Sequence, residues 1–392
     1  MHPENPMKKR ITIIGLVAAA VAFAPAGPAA ASDKGRDDVK PEEVASGLVT
    51  PLHLAVGTAK SLYVSQDFAG KLSRVTRGGD VEDVYTNPGQ GWDVAGVDTR
   101  GATTFFLESK GAGLGKPDQL EGYLKAIGPN GKVREVAGFA DYERENNPDG
   151  DQQYGLDDNV GDACLQQWPK DFPAPARYTG TVDSHPYALA VQGNTAYVAD
   201  AGMNAILEVD LRSGDVSTLA VLPPRPAVIP EGADKPESEG GLGVPACVVG
   251  HEYAFEPVPT DVEIGQDGWL YVTSLPGGPE SAALGARGAV FRINPWNGRM
   301  KVWADEILSP TGLAIANNGD VYVASLFGGQ ILKFDGRDGD RSDFLTVNQP
   351  ADVEIRGSTL YATTDVLPPM TGPEPPAGPP PATGKVIRAD LR

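Results

Sequence analysis

The sequence predicts an all-β, six-bladed β-propeller closed by its own N-terminal strand, on three observations. One short-strand unit recurs six times along the chain, the signature of a repeat fold. Glycine and proline supply 48 and 35 of the 392 residues, too many for a helical bundle because both disfavour helix interiors. The last copy of the unit is one strand short, and an unassigned strand precedes the first copy. With 41% hydrophobic residues, five Trp, 12 Tyr and 11 Phe, the chain has the material for a large core.

The first element reads as an export signal. Lys8, Lys9 and Arg10 precede an apolar run from Ile11 to Ala24, and Ala29-Ala30-Ala31 supplies small residues before Ser32-Asp33, the order of a cleavable leader. Cleavage is expected near Ala31, leaving a secreted protein of residues 32–392. The apolar run is shorter than the roughly 20 residues a bilayer requires, so an integral membrane protein is not expected. Net charge is −19, and without clustered Lys and Arg the chain is no candidate for nucleic-acid binding.

The strand at 39–45 ("VKPEEVA") is assigned to the last blade, where it would remove the open edges a sheet must otherwise protect. The blades follow at about 50–86, 92–139, 184–222, 258–304, 309–347 and 350–392. The clearest copies begin at Ser184 ("SHPYALAVQGNTAYVADAG") and Ser309 ("SPTGLAIANNGDVYVAS"). Each reads as four alternating strands joined by Gly or Asn turns.

Insertions interrupt this pattern at about 109–122, 140–183, 223–257, 275–288 and 366–383. All fall between the second and third strands of a blade or between one blade and the next, and those loops share a face of a propeller. The opposite hairpins stay short, as at Gly78-Gly79-Asp80. One decorated face therefore emerges as the functional surface. Cys164 and Cys247 lie in the two insertions flanking the third blade and, in an oxidising compartment, are expected to form a disulfide across them.

The blades resemble the NHL and gluconolactonase-like class of six-bladed propellers. Within it, "ENNPDG" at 145–150, "VDSHPYALAVQGNTAYVADAGMNAILEVD" at 182–210 and "VPTDVEIGQDGWLYVTS" at 258–274 resemble the ScyD/ScyE family of exported bacterial proteins. The resemblance spans most of the mature chain and implies a secreted propeller with no established catalysis.

Related lactonases carry metal ligands directly after Pro at the start of each inner strand. That column here reads Leu52, Trp92, Tyr187, Thr260, Thr311 and Ala351, which holds no carboxylate or carboxamide, so their metal site is not reproduced. The next column reads His53, Asp93, Ala188, Asp261, Gly312 and Asp352, placing three Asp on alternate blades. Glu263 and Glu354 follow two residues later on the same strand faces. These six residues, His53, Asp93, Asp261, Glu263, Asp352 and Glu354, form the candidate ligand or cation site, with Ca²⁺ as the fitting cation for Asp93, Asp261 and Asp352. The competing reading is that the Asp side chains accept backbone amide hydrogens at strand starts.

Other patterns carry less. Asp183-Ser184-His185 has the residue types of a triad, but strand neighbours point to opposite faces. The acidic stretch 149–162 reads as a solvated loop with at most weak cation affinity. The segment 335–343 imitates a calcium loop, yet Thr346 stands where a bidentate Glu is needed. The expected function is a secreted binding or scaffold module whose protein, glycan or small-molecule partner sits on the insertion-bearing face. The rivals are a lactonase-like hydrolase using an acidic axial channel, and a surface protein presenting the Pro-rich loop 366–383 as a stiff spike.

Overall fold

A computed structural model describes residues 39–391 except 171, 173, 281–283, 338 and 369–380. The expected leader with its cleavage point, and most of the Pro-rich loop, lie outside the described residues.

The chain forms seven four-stranded antiparallel sheets. Six are up-and-down blades whose inner strands are His53–Val56, Asp93–Arg100, Pro186–Gln192, Pro259–Ile264, Pro310–Ile315 and Val353–Arg356. Each inner strand packs against the next, and the sixth packs against the first, which closes the ring. Strand alternation is visible in Glu121–Ile127, where Gly122, Leu124 and Ala126 turn inward between half-buried neighbours. The second strands of the fourth and fifth blades, Leu270–Ser274 and Val321–Ser325, are buried along their whole length.

The core is distributed between blades rather than centred. Phe105, Leu107 and Leu124 of the second blade meet Leu189, Val198 and Leu207 of the third, and the same layering joins the third to the fourth and the fifth to the sixth. Each fully buried Leu or Phe contributes about 1.5–3 kcal/mol relative to exposure.

Ring closure follows the expected route with a shifted boundary. The N-terminal strand is Glu42–Leu48, paired antiparallel with Gly384–Asp390. It begins after Pro41, which has no N–H to give a ladder, and it extends through a register shift at Gly47, whose φ is +77°.

The seventh sheet was not anticipated as regular structure. Its strands come from the two insertions flanking the third blade, in the order Arg177–Thr179, Gln153–Leu156, Glu252–Phe255, Arg225–Val228. The central pair, Gln153–Leu156 and Glu252–Phe255, joins one insertion to the other. Behind it lies a separate apolar cluster including Leu156, Ile229, Val248, Tyr253 and Phe255, with Trp168 stacked on Tyr253 at 5.5 Å. Cys164 and Cys247 are bonded, with Cα atoms 6.0 Å apart and a separation of 83 positions in sequence.

Candidate functional site at the propeller axis

A small cavity on the axis is lined by His53, Gly96, Ala188, Asp261, Glu263, Asp352 and Glu354 among others. Inner strands of the third, fourth and fifth blades each carry a bulge just after their first Pro, at Tyr187, Thr260 and Thr311. The residue after the bulge faces the axis. In the second blade the irregularity falls at Ala95-Gly96, so Gly96 takes the axial position. A Cβ on Gly96 would stand 2.5 Å from Cα of Ala188, just as one on Gly312 would stand 2.6 Å from Cα of Asp352.

The expected triad of Asp93, Asp261 and Asp352 is therefore displaced in the second blade by three residues. Asp93 precedes the bulge, and Asp98, which the sequence reading passed over, lies on the same tier as Glu263 and Glu354. The second blade has Gly91 where the other five have Pro directly before the column, and the Trp92-Asp93 pair mimicked the pattern of the other blades. The tiers are then His53, Asp261 and Asp352 above, and Asp98, Glu263 and Glu354 below.

Three of these carboxylates tie blades together. Asp98 accepts from the N–H of Thr99 at 2.5 Å and from Val191 in the third blade at 2.6 Å. Asp261 accepts from Val262 at 2.8 Å and Leu313 in the fifth blade at 2.6 Å. Asp352 accepts from Val353 at 2.7 Å and Leu54 in the first blade at 2.7 Å. Every second blade boundary thus carries one aspartate whose two oxygens each hold a backbone amide. Among the described residues no three His, Cys, Asp or Glu side chains converge as a metal-binding set. Burial pushes the Asp98 and Asp261 carboxyls up to about 6. Burial and the neighbouring carboxylates raise Asp352, Glu263 and Glu354 well above the ordinary range.

Above this tier the mouth holds residues of a different kind. The ring of Tyr187 is wedged between His53, at 4.5 Å, and His185, at 5.4 Å, edge-on to both. His53 is 3% exposed, its Nδ1 lies 3.2 Å from Oδ2 of Asp67, and its Nε2 has no hydrogen-bond partner. Asp67 is held in turn by the hydroxyl of Ser65, which donates at 2.8 Å. The Nε2 of His185 lies 3.9 Å from Oδ2 of Asp93. Burial lowers His185 to about 4, so its imidazole is neutral at pH 7. Burial, with the charge of Asp67 added, raises Asp93 to about 7. Asp67, His185 and Tyr187 were not identified from sequence. The only signal for His185 was its neighbour in the discounted Asp183-Ser184-His185 run, in which Ser184 in fact donates to Asp200 at 2.9 Å.

The mouth residues His53, Asp93 and Tyr187 lie at the start of inner strands, at the end of the ring where the insertions 140–183 and 223–257 lead into Pro186–Gln192 and Pro259–Ile264. Among the described residues no helix is long and apolar enough to cross a membrane. No protein-family model and no curated protein matches the chain. In structure it is similar to a PQQ-bound aldose sugar dehydrogenase from Streptomyces coelicolor, at 14% identity and a TM-score of 0.51 over 90% of this chain and 98% of that one. A protein of unknown function from Bacteroides thetaiotaomicron aligns at 10% identity and 0.52, covering 90% and 76%. A gluconolactonase from Xanthomonas campestris aligns at 10% and 0.50, covering 90% of each. Likeness at this level establishes the propeller fold.

Proposed function

We propose that the protein is an exported propeller of the ScyD/ScyE type that binds a positively charged partner on its insertion-bearing face, without turning it over. The observation that carries this reading is charge. Residues 140–183 and 223–257 contain 16 acidic and five basic residues, and they build one disulfide-linked sheet. Glu145, Asp151, Asp158, Glu231, Glu239 and Glu252 are exposed in these two insertions. An acidic, rigid platform favours a cationic ligand by steering and by complementarity. Asp98, Asp261 and Asp352 support a structural part in this reading, since their oxygens already hold backbone amides. The test is calorimetry of the purified protein with an oligolysine peptide and with a neutral oligosaccharide across a salt series. Peptide binding that weakens with salt, and that drops on the order of ten-fold or more when Glu145, Asp151 and Asp158 are changed to Gln or Asn, fits the proposal. Equal binding by the neutral sugar, or no effect of the substitutions, rejects it.

A second reading, hydrolase chemistry at the mouth, draws support from Asp93 and neutral His185. Titration near the working pH suits a group that gives and takes protons. Turnover of a lactone or ester that is lost in both Asp93→Asn and His185→Ala would favour it over simple binding.

A further inference from the structure

A second cluster of buried oxygens lies away from the axis, where the first large insertion leaves the second blade. A short helix, Ala140–Asn146, ends in Asn147, which is in the left-handed region with φ +37°. Glu143 is fully buried and Asp149 is 2% exposed. Three oxygens here, Oε2 of Glu143, Oδ1 of Asn147 and Oδ1 of Asp149, are buried and have no hydrogen-bond partner. Orphaned acceptors of this kind are costly, and an oxygen-seeking cation is one way to satisfy them.

All three residues converge on one stretch of backbone. Oε1 of Glu143 accepts from the N–H of Asp183 at 3.1 Å. The carboxamide of Asn147 donates to the carbonyl of Gly180 at 3.3 Å. A Cβ on Gly180 would overlap the carboxylate of Asp149, so the absence of a side chain there is what lets Asp149 approach. The other oxygen of Asp149 is fixed by the hydroxyl of Tyr154 at 3.0 Å and by Asn204 of the third blade at 2.8 Å. Burial and the nearby Asp200, Asp149 and Asp183 raise Glu143 to about 8.

We propose that Glu143, Asn147 and Asp149 form a structural binding site for a hard divalent cation, Ca²⁺ by its donor chemistry, that locks the insertion sheet onto the propeller. The donor set is two carboxylates and a carboxamide, all oxygen. Backbone carbonyls and water complete the six to eight ligands that Ca²⁺ takes. The site uses Asn147 and Asp149 of the "ENNPDG" segment; Asp149 opens the stretch 149–162 read above as a solvated loop, yet it is buried. It is independent of the axial carboxylates and of the function proposed above.

The test is metal analysis and Ca²⁺ titration of the protein purified without chelator, read by calorimetry and by thermal unfolding. Expected are one Ca²⁺ per chain, a higher melting temperature with Ca²⁺ than with chelator, and affinity on the order of ten-fold or more weaker in Glu143→Gln and Asp149→Asn. Binding should persist in Asp352→Asn. Should the carboxylate variants fail to fold, Tb³⁺ luminescence excited through tyrosine serves instead. Emission that Ca²⁺ competes away and that falls in Tyr154→Phe supports the site. No Ca²⁺ uptake at millimolar concentration, Ca²⁺ binding lost in Asp352→Asn but kept in Glu143→Gln, or Tb³⁺ emission unchanged in Tyr154→Phe would overturn it.

Discussion

Asp352 shows how a single side chain joins two ends of the chain. Its carboxylate holds Val353 in its own blade and Leu54 in the first, 298 residues away. An amide in its place has one acceptor oxygen and leaves one buried N–H facing an NH₂ group. We expect Asp352→Asn to lower stability by about 1–3 kcal/mol, the cost of an unsatisfied buried donor. Urea unfolding measures this, and an unchanged midpoint would mean that the closing bond carries no weight. Part of this was legible in the sequence: Asp261, Asp352, Glu263 and Glu354 stand where strand alternation placed them. Asp98 was not, because the bulge at Ala95-Gly96 moves the frame and no proline marks it. His53 was chosen for its column, while its partners Asp67 and Tyr187 come from another strand end and another blade.

Among elements, the seventh sheet is the one that sequence alone did not reveal. Its strands are three or four residues long, and none repeats the blade unit, so neither period nor motif announced them. The disulfide was readable from the placement of Cys164 and Cys247 on either side of the third blade. The sheet depends on both insertions, since Gln153–Leu156 pairs with Glu252–Phe255 across the gap. Replacing Cys247 with Ser should cost about 2–4 kcal/mol. The loss should concentrate in this sheet, because each blade keeps its own ladder. Limited proteolysis after Cys247→Ser is expected to cut within 140–183 and 223–257 while leaving the six-blade ring whole. Simultaneous cleavage in the blades would show that the crosslink supports the ring as well.

At the scale of the whole molecule, buried carboxylates outnumber buried Lys and Arg among the described residues, and pH reports the imbalance. Burial raises Asp98, Asp183, Asp200 and Asp261 to about 6, Asp93 and Glu256 to about 7, and Glu143 to about 8. In the unfolded chain such groups lose their protons near pH 4. Between about pH 4 and 8 the folded protein therefore holds more protons than the unfolded one. The stability linked to these groups is fully present below that window and is lost as the pH rises through it. The urea midpoint is expected to fall from pH 5 to pH 8, with Ca²⁺ offsetting the part that belongs to Glu143. A rising midpoint would contradict this.

The pairing of Glu42–Leu48 with Gly384–Asp390 also sets an order of events in time. Glu42–Leu48 is made before any blade and has no neighbour until Gly384–Asp390 has been made, so the ring closes after the inner strands are in place. Until then the sixth sheet has a bare edge, and a chain lacking its final strand would present that edge to any other β-strand nearby. Long-range closure of this kind makes folding slow. It also brings the beginning and the end of the propeller side by side, so a short linker could join them and new termini could be opened in one of the tight hairpins on the undecorated face.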